Sequence, residues 1–145
     1  MKNSTVIKIP SHAKYLCVVR SVTEKMGELY GMTAPEIEDV KLAVDEACAN
    51  AIKHACKGNE ELIISVKYNL KRKGFEVVID DSGQKARPDA IKGRDLDDVR
   101  PGGLGVHLIK RVFDVFAFDE KKKNGNRLRL VRHRRINPPE ADKSS

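Results

Sequence analysis

The sequence predicts an α+β domain, a two-layer α/β sandwich in which a mostly antiparallel mixed sheet carries three helices on one face. Apolar residues recur at helical spacing in three stretches, and they alternate with polar residues in the stretches around them. The order reads strand, helix, helix, strand, strand, an irregular segment, helix, strand, strand. Most neighbouring strands are separated by tight turns rather than by long crossovers, which favours antiparallel pairing.

Residues 4 to 9 (STVIKI) alternate and stop at Pro10, as a short edge strand does. Ser11 is placed to cap a helix running to about Tyr30, with Leu16, Val19, Val22 or Thr23, Met26 and Leu29 inward and Gly31 as its stop. Thr33 and Glu36 form a capping box, with Pro35 in the first turn, and open a second helix over APEIEDVKLAVDEACANAIKHA. Its expected core stripe is Ile37, Val40, Val44, Ala47 and Ala51, and Lys57-Gly58-Asn59 breaks it. ELIISVKYNL and FEVVIDD then read as a hairpin around KRKG. Between Gln84 and Pro101 periodicity is lost, as in a functional lid. GGLGVHLIKRVFDVF restarts a helix with Leu104, Leu108 and Val112, or Ile109, Phe113 and Phe116, facing inward. A last hairpin turns at Asn124-Gly125, and the tail INPPEADKSS is polar.

The composition narrows the function classes. A chain of 145 residues with a 40% hydrophobic fraction is one domain's worth, able to fold on its own core. Cys17, Cys48 and Cys56 form no Cys-x-x-Cys pair and read as small buried residues of a reducing compartment. The N-terminus lacks the run of about 7–15 apolar residues of a signal peptide, and no stretch of about 18 suits a membrane span. A cytoplasmic protein with no membrane partner is expected. His12, His54, His107 and His133 are dispersed, which argues against a zinc site, and no Cys has a His partner for thiol chemistry. The net charge of +7 is concentrated: residues 121 to 135 hold eight Lys or Arg and no acid, leaving 20 bases against 21 acids elsewhere.

Three short motifs carry candidate chemistry. Glu46 and Asn50 are four apart on the second helix and share a face, with Lys53 and His54 one turn on. An amide oxygen can hold a hydrated Mg²⁺ while a neighbouring carboxylate orders or deprotonates an attacking group. Asp81-Ser82-Gly83 ends the second strand of the central hairpin, where a carboxylate can accept from an exocyclic amine such as that of adenine. Gly102-Gly103-Leu104-Gly105 opens the third helix, whose free amides make an anion site. It is neither a Walker A loop nor a G-x-G-x-x-G fingerprint, since residue 108 is Leu. Each motif alone is commonplace; their order along the chain is not.

In that order the sequence resembles the GHKL (Bergerat-fold) ATPase superfamily, whose N, G1 and G2 boxes these motifs match. The phrase EIEDVKLAVDEACANAIKHA is similar to the small RsbW-like anti-sigma-factor serine-protein kinases. The resemblance implies an ATPase domain over residues 1–136 with a polar tail at 137–145. It implies ATP and Mg²⁺ as cofactors, Asn50 as the Mg²⁺ ligand and Glu46 as the catalytic base. Asp81 would bind the adenine amine with Gly83 beside it, and Gly103, Leu104 and Gly105 would wrap the triphosphate. Lys53 and His54 fall where the superfamily places basic or aromatic residues. The implied partners are a sigma factor and a STAS-domain anti-anti-sigma protein that is phosphorylated on Ser or Thr, with Arg20 at the partner interface and a homodimer as the assembly. Two departures stand out: Lys85 replaces the second G1 glycine, and Asn126 replaces the usual Thr after Gly125, putting an amide where a hydroxyl near adenine is expected.

The alternatives are an ATP-binding switch of the same fold without kinase activity or with a non-sigma partner, and a histidine-kinase-like domain. The latter is disfavoured because only about 30 residues precede the second helix and none forms a phosphoacceptor dimerisation segment. Nucleic acid is not the expected partner. The basic stretch 121–135, with Arg127 and Arg129 alternating against Leu128 and Leu130, reads instead as a polar outer strand face, suited to an acidic protein.

Overall fold

In the computed structural model residues 4–83 and 101–135 are described, with the side chains of 101–104 left aside. The expected lid, the second G1 position Lys85 and the tail 137–145 lie outside the described residues. Strand β1 (Ser4–Pro10) is the expected edge strand, antiparallel to β2 (Ile63–Leu70). Helices α1 (Leu16–Tyr30) and α2 (Ala34–Asn50) come between them, and β3 (Gly74–Asp81) returns from the turn at Lys71 to Lys73. Helix α3 (Pro101–Val112) leads into β4 (Val115–Phe118) and β5 (Asn126–His133). The sheet order is β1-β2-β3-β5-β4 and every pair is antiparallel, so among the described residues the sheet is not mixed.

Alternation decides which face meets the helices. Ile64, Val66 and Tyr68 of β2, Phe75, Val77 and Ile79 of β3, and Leu128 and Leu130 of β5 are buried and join one core with the helices. Helix α1 packs on β2, α2 on β3 and α3 on β4. A buried hydroxyl pair, Thr23 Oγ1 to Tyr68 Oη at 2.7 Å, ties α1 to the sheet. Glu76, Asp80, Arg127 and Arg129 stand on the other face. There Arg127 Nε meets Asp80 Oδ1 at 2.8 Å, Arg129 pairs with Glu76, and Lys71 Nζ reaches Glu76 Oε1 at 2.9 Å. The arginines of the outer face are thus matched within the chain.

Several local expectations are corrected. Ser11 is not the cap of the first helix; it is buried, and His12 Nδ1 accepts from Lys14 N at 3.0 Å to start a 3₁₀ turn at Ala13–Tyr15 before α1. The α1 stripe is Leu16, Val19, Thr23, Gly27 and Tyr30, while Leu29 is 72% exposed. The capping box of α2 is present, with Glu36 N donating to Thr33 Oγ1 at 3.3 Å and Thr33 N to Glu36 Oε1 at 3.0 Å. Beyond Asn50 the chain forms a π turn, Ala51–Ala55, and Lys57 and Gly58 end it at φ 49° and 75°. Pro101 begins α3 rather than closing a loop, and α3 ends at Val112, which leaves Phe116 in β4. Cys17 is exposed, whereas Cys48 and Cys56 are buried; burial pushes the Cys48 thiol up to about 12 and leaves it inert.

Candidate functional site

Strand β3 ends opposite the beginning of β5, so Asp81 and Asn126 are direct cross-strand partners. Both are buried on the helix side. Asp81 Oδ1 accepts from Gly83 N at 2.9 Å and from Asn126 Nδ2 at 3.1 Å, which fixes the carboxylate as an oriented acceptor. The amide at 126 therefore acts first on Asp81 itself. Lys122, in the β4–β5 loop, sends its ammonium to Asp81 O at 2.9 Å, Asp80 Oδ1 at 3.1 Å and Asn126 O at 3.4 Å. Nothing local in the sequence marks Lys122 out from its lysine neighbours. The non-local β3–β5 pairing brings it to the end of β3.

The second half of the site comes from α2 and α3. Glu46 and Asn50 lie one turn apart on α2, both partly exposed. The fifth residue of α3, Gly105, packs directly against the acid: a Cβ there would fall 2.2 Å from Glu46 Oε2. The carboxylate thus stands beside the first turns of a helix, where backbone amides without intrahelical acceptors and the dipole favour negative charge. Gly103 and Leu104 belong to the first turn of α3. Gly83 is equally close-set, since a Cβ there would lie 2.3 Å from Ala55 O at the end of the π turn. Glycine at 83 lets the segment after β3 meet the end of the π turn backbone to backbone.

Lys53 and His54 sit exposed on the π turn. Arg20 is elsewhere: on α1, half-exposed, its Nη1 is 2.7 Å from Asp45 Oδ1 of α2. The structure therefore joins Glu46 to Gly105, and Asp81 to Gly83 and Asn126, while Arg20 lies on the neighbouring helix surface. Among the described residues no group of three His, Cys, Asp or Glu could hold a metal. An amide at Asn50 beside one carboxylate suits a cation that keeps waters and takes its other ligands from phosphates, as Mg²⁺ does. Two glycines with no room for a Cβ and an oriented carboxylate acceptor suit a nucleotide.

A helix pair and a helix N-terminus packed over an antiparallel sheet, with an acid set against Gly105 and an amide one turn on, define a nucleotide-using ATPase domain. The family described as histidine kinase-like ATPase domain matches residues 9–132. The serine-protein kinase RsbW of Bacillus subtilis (strain 168) is 32% identical over 126 residues, covering 79% of this chain and 78% of that protein. RsbW of Staphylococcus aureus (strain Newman) is 32% identical over 117 residues, 74% of each chain. The chain therefore belongs to the histidine kinase-like ATPase domain family and, within it, to the RsbW serine-protein kinases. A solved structure, the Erythrobacter litoralis EL346 blue-light activated histidine kinase, shares the fold at a TM-score of 0.55 and 15% identity, over 94% of this chain and 44% of that one.

Proposed function

We propose that this chain is an ATP- and Mg²⁺-dependent protein serine/threonine kinase and anti-sigma factor that phosphorylates a STAS-type anti-anti-sigma protein in a partner-switching pathway. The observation that carries the reading is the Glu46 carboxylate, four residues before Asn50 and packed against Gly105. A domain that only bound nucleotide would need the amide but not the acid. Asp81, held by Gly83 and Asn126, accepts the adenine amine; the amides of Gly103, Leu104 and Gly105 meet the triphosphate; Lys53 and His54 border it. Asn50 would hold the metal, which would supply charge neutralisation on the phosphate oxygens.

Glu46 takes the proton of the acceptor Ser or Thr hydroxyl. The hydroxyl oxygen then bonds to the γ-phosphorus as the bond from that phosphorus to the bridging oxygen breaks, and ADP leaves with the electron pair. Positioning supplies most of the acceleration, because the acid, the amide and the glycine backbone are set by helices rather than by loops. Arg20 pairs with Asp45, the residue before Glu46, so a partner seated on α1 at Arg20 arrives beside the acid. The same reading takes residues 1–136 as the ATPase domain, 137–145 as a tail, a homodimer as the assembly and the cytoplasm as its location. Among the described residues no helix is long and apolar enough to cross a membrane.

The test is Glu46→Gln with labelled ATP and the STAS protein as acceptor. ATP binding is retained while transfer falls by about 10²–10⁴-fold. Equal transfer by variant and parent removes Glu46 as base, and absence of transfer by the parent chain favours the switch without kinase activity.

A further inference from the structure

The far end of the sandwich holds a second charged feature that the nucleotide site does not use. A cleft of about 100 Å³ opens between the end of α1, the start of α2 and the end of β5, lined by Tyr30, Met32, Glu36, Arg132, His133 and Arg134 among others. Strand β5 runs from Asn126 at the nucleotide end to His133 at the cleft, so the two are separated by roughly 24 Å at about 3.4 Å per residue.

The floor is rigid. Arg132 donates to Val112 O at 2.7 Å, the last residue of α3, and to Glu36 Oε2 at 3.4 Å in the first turn of α2. Its Nε is buried with no acceptor among the described residues, an N–H for which a small shift and an incoming oxygen would provide a partner. The wall is an arginine stacked on a ring: the Arg134 guanidinium lies 3.9 Å from the Tyr30 ring centroid, and its Nε donates to Arg72 O at 3.0 Å. Tyr30 is itself fixed, by Tyr30 Oη to Lys71 O at 2.7 Å and by an edge contact with Phe75 at 5.6 Å. The guanidinium is thus oriented in advance, with its two outer nitrogens left for a ligand.

The charge at this end is unbalanced. Lys71 is matched by Glu76, Arg132 by Glu36 and Arg135 by Asp114. Arg72 and Lys73 in the β2–β3 turn and Arg134 beside them are exposed and face no carboxylate among the described residues. Arg134 N donates to Lys73 O at 2.9 Å, so the three unmatched cations are carried by adjoining backbone. Of the basic stretch, Arg127 and Arg129 on the outer strand face are paired, whereas Arg134 joins Arg72 and Lys73 of the β2–β3 turn here.

We propose that this end of the sandwich, the cleft together with the adjoining β2–β3 turn, is a second docking site and that its occupant is an acidic segment of a protein partner, whose carboxylates meet Arg134 at the cleft and Arg72 and Lys73 beside it. A short acidic peptide matches the number and spread of the free cations. Three fall well short of the roughly 6–10 phosphate contacts typical of nucleic-acid binders, and the Tyr30 face that a base would stack on is already covered by Arg134. The proposal rests on none of the residues of the nucleotide site, and it stands or falls separately from the kinase reading.

Fluorescence anisotropy of the full chain with a labelled hexaglutamate peptide tests it. Saturable binding is expected at low salt, weakened about tenfold or more by Arg72→Ala, Lys73→Ala and Arg134→Ala together, and unchanged by saturating ATP. Arg134→Lys keeps the charge but loses the planar stack, and is expected to weaken binding by about threefold. Should the triple variant melt early, Lys73→Glu alone, on an exposed turn, gives the same sign. Equal peptide binding by these variants, displacement of the peptide by ATP, or tighter binding of a single-stranded oligonucleotide of the same charge overturns the proposal.

Discussion

Replacing Gly105 by Ala separates catalysis from folding. The added Cβ would lie 2.2 Å from Glu46 Oε2, 2.9 Å from Cδ and 3.1 Å from Cγ, whereas ordinary contact begins at 3.4 Å, so the carboxylate must retreat by about 1.2 Å. The clashing atoms are the far end of a flexible, partly exposed side chain, and the retreat costs the fold little. Gly to Ala inside a helix returns up to about 1 kcal/mol, so the melting temperature should hold or rise. A reacting group moved by about 1 Å can lose on the order of 10² in rate. The methyl points at Glu46 rather than at the amides of the first turn, so ATP affinity should move by less than about fivefold if the phosphates lie on those amides. Transfer of labelled phosphate, ATP titration and thermal melting measured on one preparation give all three quantities. Transfer at the parental rate would show that the position of Glu46 does not matter, and a melt lowered by many degrees would show that the contact is structural.

Lys122→Met should weaken ATP binding several-fold with kcat at saturation nearly kept, because Lys122 holds the backbone at Asp81 and Asn126 and the Asp80 carboxylate, all at the β3–β5 end. A loss in kcat alone would refute this, and Lys122→Arg should restore some of the affinity. Glu76 gives an acid-side prediction. Burial raises its carboxyl, but hydrogen bonds from Lys71, Arg129 and Asn69 outweigh burial and hold it at about 2, against an ordinary 4.5. A folded-state value below the unfolded one contributes stability that is present above about pH 4.5 and is lost as pH falls toward 2. With both cationic partners half-exposed the contribution is on the order of 2 kcal/mol. Urea unfolding at pH 5.5 and pH 3 (about one unit above and well below the ordinary value) should show that share of the loss vanish in Glu76→Gln; an unchanged pH slope would refute it.

The features legible in the sequence are those that local chemistry determines. The capping box needs only Thr33 and Glu36 three apart. The expected turn at Asn124-Gly125 is found in part: Gly125 is at φ 76° directly before β5, but the β4–β5 connection is the longer loop 119–125. The motif order is legible because Glu46 and Asn50 share a face by helical period alone. What fails depends on partners far along the chain. Apolar spacing ends the α1 stripe on Leu29 because Gly27, buried at the α2 seam, gives no hydrophobic signal, and that shifts the phase to Tyr30. The same spacing carries the third helix through Phe116, yet Asp114 accepts from His133 N at 2.7 Å and β5 captures the alternating residues after it. Position 126 reads from the sequence as a contact to the base; only the strand register shows that Asn126 faces Asp81.

The π turn shows why the site is only half legible. By helical period, Lys53 and His54 continue the stripe of Glu46 and Asn50, and an Ala-rich sequence gives no sign that the repeat changes there. In the structure Cys56 N reaches back to Ala51 O, five residues, and Gly58 N to Ile52 O. A wider turn rotates the residues that follow it off the line of those before. Lys53 and His54, inside that turn, are therefore rotated relative to Glu46 and Asn50, and the carbonyl of Ala55 is delivered to Gly83. One irregular turn thus keeps the acid and amide on a straight helix and lets the end of that helix close on the strand that carries Asp81. A Gly83→Ala change would push against backbone rather than against a movable side chain. The two glycines, so alike in sequence, therefore differ in what their loss would do: at 105 it moves a carboxylate, whereas at 83 it must force the segment after β3 away from the end of the π turn.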